Sequence, residues 1–405
     1  MKHLLLLLLA GLLCFGAGSK TPAKNKRKKA PASPPITAAQ RQAARDEIEA
    51  KMAAVTTGIE NPTALASYFA SLRAGDPVHI LQFGDSHTAS DDWVNALRAA
   101  VQAKYGNGGP GFVQAGHPYR GYRRFDAPGT SSAGWKTEGT MQIRGDANQG
   151  LSGISISTSL PNQTVTLTAE GESLQIFYLQ QPGGGEVELT IDGEKAGAFS
   201  TDGDPGAGQS EYSLMPGMHQ LALRTLHFAP VRLFGWTLDN KRGVTVETLG
   251  INGAQANVML DWNEKIWETE LVQRNPSLVI LAYGTNEANS HLWTADQYRT
   301  DLTAIIERLR HTVPAASILM IGPPDCGRLQ PLLHLDEVID IQRGIARQLG
   351  VAFWDWRMHM GGARIVKRWV VAGWSQADHI HLTFEGYRML GRLIFDQLEG
   401  ASSTS

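Results

Sequence analysis

At 405 residues, with 37 basic and 39 acidic side chains, the chain is long enough for two domains around a large core and is nearly neutral. The balance is uneven: seven basic residues and no acidic ones precede Ile36, so the remainder holds 30 against 39, a net −9. An acidic body behind a basic tail argues against a nucleic-acid binder, whose positive charge would lie on the folded face.

The chain opens with "MKHLLLLLLAGLLCFGAGSK", a short basic start, about 15 apolar residues and then small residues suited to cleavage. Residues 1–19 read as a secretory signal peptide, since a membrane span needs about 20 apolar residues. Cys14 lies inside it, but "GLLCF" lacks the small residues that precede a lipidated cysteine. Residues 20–36, "KTPAKNKRKKAPASPPI", are basic and proline-rich with no apolar face to bury, and read as a flexible tether. Six basic residues directly after the apolar segment run against the charge bias that favours export. Residues 20–29 could rest on anionic lipid headgroups, although a solvated spacer explains them as well. Beyond the signal only Cys326 remains, so stability must come from the core rather than from a disulfide. Export without disulfides suits a bacterial envelope protein, placing the mature chain in the periplasm.

Residues 37–55, rich in Ala, Glu and Arg, predict a helix. "PVHILQF" then reads as a strand and "DDWVNALRAAVQAKYG" as a helix, with Ser90 placed to cap it and Gly106 to end it. Strand and helix alternate again downstream. "VTVETLG", "SLVILAY", "SILMIG" and "VAFWDW" read as strands; "ADQYRTDLTAIIERLRH", "DEVIDIQRGIARQLG" and "TFEGYRMLGRLIFDQLEG" read as helices. "SLVILAY" is apolar at nearly every position, as a strand covered on both faces must be. Repeated strand–helix units predict a parallel sheet between helical layers.

Between the halves, residues 118–242 show short alternating runs instead of a helical period, and Asp192-Gly193 is a hairpin signal. This predicts an α/β domain in two parts, residues 37–117 and 243–400, interrupted by a β-sandwich of jelly-roll type. Trp135, Tyr178, Tyr212 and Trp236 in that segment could stack on sugar rings, but buried sandwich aromatics are the commoner outcome. "YGNGGPGFVQAG" lacks the lysine of a phosphate loop and reads as a flexible border of the active site. Met358, Met360, Trp369 and Trp374 could wall the pocket or simply pack in the core.

Four strand-end loops carry groups that acyl transfer needs. Ser86 in "GDSH" follows the first strand, where ligands bind in open α/β sheets. "DHIH" supplies Asp378 and His381, three apart and able to hydrogen-bond across a tight loop; His379, beside Asp378, would point away. In "GINGA", Gly253 could offer a backbone N–H to a developing oxyanion. In "GTNE", Asn286 could offer its side-chain amide, and the Ser86 N–H would be a third donor. A metal bound by Asp378, His379 and His381, with His87 approaching in space, is the weaker reading, because no further ligand motif supports it.

The blocks "GDSH", "GINGA", "GTNE" and "DHIH" resemble the signature blocks of SGNH hydrolases, also called GDSL esterases. The resemblance implies a flavodoxin-like three-layer fold, with Ser86 as nucleophile, His381 as base and Asp378 as its orienting partner. It also implies an oxyanion hole of Ser86, Gly253 and Asn286, and neither metal nor cofactor. Thr88 stands where the G-x-S-x-G elbow of ordinary α/β-hydrolases has its second glycine. "GDSHT", "YGTNEA" and the position of the interrupting segment are similar to periplasmic peptidoglycan O-acetylesterases, whose insert resembles a carbohydrate-binding module. That implies removal of acetyl groups from the 6-hydroxyl of N-acetylmuramic acid in O-acetylated peptidoglycan or a related glycan. Two alternatives stay open: transfer of acetyl to another glycan hydroxyl, and a non-catalytic wall-binding protein. Glu287 departs from the aspartate that many members carry, but leaves Asn286 intact.

Overall fold

Five parallel strands organise the molecule: β1 (Val78–Gly84), β2 (Val244–Gly250), β3 (Leu278–Ala282), β4 (Ser317–Ile321) and β5 (Ala352–Trp354). Their spatial order is β2-β1-β3-β4-β5, the flavodoxin-like order of doubly wound sheets, which reverses direction between β1 and β3. The structure, a computed structural model, describes residues 35–327 and 332–402. The expected signal peptide, and the tether up to residue 34 with its stretch 20–29, lie outside the described residues. Among the described residues no helix is long and apolar enough to cross a membrane.

Side chains alternate across the sheet because successive residues of a strand point to opposite faces. Val78, Ile80, Leu278 and Ile280 face one core, shared with helices Ala38–Ala53, Asp92–Tyr105 and Phe384–Ser402. Leu81, Phe83, Val279 and Leu281 face the other, shared with helices Glu264–Arg274, Ala295–Thr312 and Leu335–Leu349. Helices on both faces make three layers, and both strand faces being apolar is why β3 and β4 read as continuous hydrophobic runs.

Residues 111–239 fold into two antiparallel sheets. One, of six strands, is built on Ser173–Gln180 and Val231–Asp239; the other, of five, on Thr164–Glu170 and Met218–Thr225. Val113, Ile176, Leu233 and Trp236 pack between the sheets against Val165, Leu167, Leu221 and Leu223. The opposite face of the six-stranded sheet turns Phe112, Phe177 and Phe234 into the core beneath the parallel sheet. The hairpin expected at Asp192-Gly193 is present: both residues have positive φ, 52° and 88°, between strands Glu186–Ile191 and Glu194–Ser200.

Two local expectations are corrected, and one open alternative is decided. The residue at the cap of helix Asp92–Tyr105 is Asp91, not Ser90. Asp91 is held in the left-handed region (φ 58°) by Arg98 at 2.8 Å and by the Phe125 N–H at 2.9 Å. The glycine-rich segment after this helix is no flexible border: Gly111–Gln114 is a fully buried strand paired with Val231–Asp239. Met360, Trp369 and Trp374 lie in the core, as do Tyr178 and Trp236.

Candidate active site

The register of the parallel sheet assembles the site. Gly84 pairs with Gly250 on one side and with Ala282 on the other, so β1, β2 and β3 end level. The residues just past those ends, Ser86, Gly253 and Asn286, are thereby delivered to one edge, at the switch point where doubly wound sheets bind ligands. Close approach of the loops depends on glycine: a Cβ on Gly84 would collide with Thr88 and the Ala282 carbonyl, and one on Gly250 with the Ala89 backbone.

Ser86 opens a short helix, Ser86–Ala89, whose cap is Asp85; the Asp85 carboxylate accepts from the His87 N–H at 2.9 Å. Ser86 Oγ lies 2.9 Å from His381 Nε2. His381 Nδ1 lies 2.8 Å from Asp378 Oδ2. The other Asp378 oxygen accepts from the N–H groups of Ile380 and His381, at 2.9 and 3.0 Å. Burial would raise the Asp378 carboxyl, but the hydrogen bonds from the His381 ring and the two N–H groups outweigh it and hold the group below the usual carboxylate range. His381, rather than His379, therefore takes the carboxylate, while His379 sits at positive φ and hydrogen-bonds through its backbone to Gln376 and Gly327. The Asp378 and His381 side chains keep 43 and 36 % of their exposure, so solvent reaches the pair.

The donor side is as closely tied. Asn286 donates from its side-chain amide to the Ala254 carbonyl at 2.9 Å, and Gln255 donates to the Asn286 carbonyl at 3.2 Å. Glu287 accepts from the Ala256 N–H at 2.7 Å. These bonds bind the loop after β2 to the loop after β3. Gly253 has φ 79°, a conformation that favours glycine and leaves its backbone uncovered by a side chain. The same amide nitrogen also reaches Asp85 Oδ2, at a longer 3.4 Å, so its second N–H is held only weakly and can turn to a ligand. The segment between the two halves also reaches this edge: the Tyr119 hydroxyl donates to the Gly250 carbonyl at 3.3 Å, and Met141 packs beside Gly253.

Several groups are buried beneath the site, and of these Asp85 escaped the sequence reading. Burial raises the Asp85 carboxyl to about 7 against the His87 N–H, and the Glu287 charge adds to the rise. Glu287 is likewise raised to about 7 by burial. Burial lowers His87 to about 3, helped by neighbouring His381. Neutral His87 hydrogen-bonds the Tyr387 hydroxyl at 2.7 Å, with its ring 5.4 Å from that of His381. It thus packs behind the base instead of joining a ligand cluster. Asp85 adjoins Ser86, and Glu287 was noted only for departing from aspartate; the burial of both is a tertiary property.

The arrangement can deprotonate a serine hydroxyl and stabilise an oxyanion beside it, which are the requirements of acyl transfer. Residues 223–389 match the model of the GDSL-like Lipase/Acylhydrolase family. Fold, strand-end blocks and this match together support a carboxylic ester hydrolase of SGNH type, similar over residues 223–389 to the GDSL-like lipase/acylhydrolases. A solved structure described as a peptidoglycan O-acetylesterase in action is similar over 84 % of this chain and 97 % of that one, with 29 % identity and a TM-score of 0.73. Within the class the chain resembles that enzyme. Family two carbohydrate esterases from Cellvibrio japonicus (12 % identity, 68 % of this chain and 98 % of that one, TM-score 0.33) and Clostridium thermocellum in complex with cellohexaose (12 %, 61 % and 94 %, TM-score 0.32) are more distant. No curated protein sequence matches the chain.

Proposed function

We propose that the protein is an exported serine esterase that removes O-acetyl groups from the 6-hydroxyl of muramic acid residues in peptidoglycan. The observation that carries this is the Ser86–His381–Asp378 relay, with hydrogen bonds of 2.9 and 2.8 Å, in a chain similar along most of its length to a peptidoglycan O-acetylesterase. His381 Nε2 takes the Ser86 proton as Oγ attacks the acetyl carbonyl. The Ser86 and Gly253 N–H groups and the Asn286 amide hold the oxyanion, each donor contributing about 3–4 kcal/mol. His381 returns the proton to the sugar oxygen as the ester C–O bond breaks. It then deprotonates a water that attacks the acetyl-enzyme, and acetate leaves as Ser86 regains its proton. Asp378 keeps the imidazole in the tautomer that accepts at Nε2.

The partial exposure of His381 and Asp378 favours this reading over transfer to a second sugar, since an acyltransferase must keep water from its acyl-enzyme. Residues 118–242 are taken as an inserted sandwich of jelly-roll type, related to carbohydrate-binding modules, that interrupts a hydrolase domain of residues 37–117 and 243–400. The apolar start of the chain, read as a signal peptide, supports a periplasmic location. The test is acetate release from O-acetylated peptidoglycan and from acetylated xylan, by wild type and Ser86→Ala. Loss in the variant with peptidoglycan strongly preferred supports the proposal; equal turnover of both glycans discards the narrow substrate.

A further inference from the structure

Two exposed phenylalanines from distant parts of the chain meet just beyond the loop that carries His381. Phe384 follows His381 by three residues, and Phe125 is anchored through its N–H to Asp91, which closes the short nucleophile helix region. Their ring centroids are 6.2 Å apart, and the side chains remain 45 % (Phe125) and 50 % (Phe384) exposed. Each carries a guanidinium over its face: Arg123 at 5.8 Å from the Phe125 centroid and Arg388 at 5.3 Å from that of Phe384. Exposed apolar rings, each with a cation over one face, offer apolar surface for sugar C–H groups and charge for an anion.

From Phe384 a groove of about 560 Å³ runs along helix Phe384–Ser402, walled on its far side by Met52 of helix Ala38–Ala53. Arg388 and Arg392, one turn apart, line it, with Met389 and Leu393 beneath them. Among the described residues neither arginine has a carboxylate partner, whereas Glu385 on the same groove is taken by Arg45 at 3.2 Å. Asp396, the remaining carboxylate, lies at the end remote from Phe384. From Phe384 to Asp396 the helix rises about 18 Å, the reach of roughly five residues of extended peptide. That length exceeds what a single carboxylate on the sugar ring would need. The basic, acid-free start of the chain has the wrong charge to occupy it.

We propose that this groove binds the anionic peptide branch of the peptidoglycan strand, with Arg388 and Arg392 pairing its carboxylates while a sugar of the same strand rests on Phe125 and Phe384. The inference rests on the substrate reading above. It makes the esterase selective for strands that still carry their peptides, and so for a particular stage of wall turnover.

The test compares kcat/KM of the full chain on three forms of O-acetylated peptidoglycan: intact, with its carboxyls amidated, and with its peptides removed by an amidase. Wild type is expected to prefer the intact over the amidated form by about tenfold, the contribution of one to two charge-assisted hydrogen bonds. Arg388→Gln/Arg392→Gln should reduce that ratio to near one, and Arg388→Lys/Arg392→Lys should restore part of it. The ratio is taken within each variant, so a general loss of folded protein cancels. Absence of a preference in wild type, or its persistence in the glutamine variant, overturns the proposal. So does an equal arginine-dependent preference for peptide-free strands, which would assign the charge to the sugar's own lactyl group. Acetylated xylan turned over while no form of peptidoglycan is would overturn the substrate reading itself, and the proposed occupant with it.

Discussion

The side-chain amide of Asn286 is bound to the carbonyl of Ala254, the residue after Gly253, at 2.9 Å. Two of the proposed oxyanion donors are thus held by one hydrogen bond, so removing the amide deletes one donor and releases the other. Asn286→Ala should lower kcat on 4-nitrophenyl acetate by about 10²–10³-fold or more, the usual cost of a missing donor. A change below about threefold would mean that the oxyanion is stabilised elsewhere.

Ser86→Ala removes the attacking oxygen but leaves the Asp85 cap and the His381–Asp378 pair in place. Esterase turnover should fall by at least about 10⁴-fold, with the unfolding midpoint little changed. Retained acetate release would assign the nucleophile to another residue.

Asp378 has two tasks, one carboxylate oxygen for His381 Nδ1 and the other for the N–H groups of Ile380 and His381. Asp378→Asn can keep the second task but not hold the imidazole in its working tautomer, so kcat should fall by about 10²–10⁴-fold with a stable loop. Asp378→Ala should lose the loop as well, seen as faster amide hydrogen exchange at Ile380 and His381. Equal exchange in the two variants would show that the backbone bonds do not order the loop.

Asp85 gives stability a direction with pH. Its carboxyl titrates near 7 when folded and near 3.9 when unfolded. Between those values the native state holds a proton that the unfolded chain lacks, so stability falls as pH rises from about 4 to 7, by up to ~1.4 kcal/mol per unit, and levels off above. Glu287, also raised to about 7, acts in the same sense. Asp85→Asn keeps an oxygen acceptor for the His87 N–H and removes the titration. Its unfolding midpoint should therefore depend less on pH over that range than the wild-type midpoint, which scanning calorimetry at several pH values would measure. An unchanged slope would show that Asp85 is ionised throughout.

What could be read in advance was what local pattern encodes. β3, β4 and β5 are apolar at nearly every position because both faces of the sheet are covered, and β1 and β2, though they carry His79, Gln82, Thr245, Glu247 and Thr248, were visible as strands too. The four strand-end loops were visible because a parallel sheet places its chemistry at one edge. Ser90 was mistaken for the helix cap because capping preference cannot foresee that Arg98 would hold Asp91 in a left-handed conformation. Gly111–Gln114 looked like a loop because its glycines signal turns. In the fold, Gly111 is instead the residue that lets the strand approach Glu247 closely. Neither the burial of Asp85 and Glu287 nor the meeting of Phe125 with Phe384 leaves a local signature, since each depends on contacts between remote segments.

Ser86 and His381, in hydrogen-bond contact, are separated by 295 positions in the chain. As a ribosome releases the polypeptide from its amino end, the nucleophile therefore emerges well before its base. β1 must wait for β2 and β3, its two neighbours, until the whole antiparallel segment has been made. A chain that stops between Ser86 and His381 accordingly holds an unactivated serine, and no product of synthesis that falls short of His381 can attack esters through this pair.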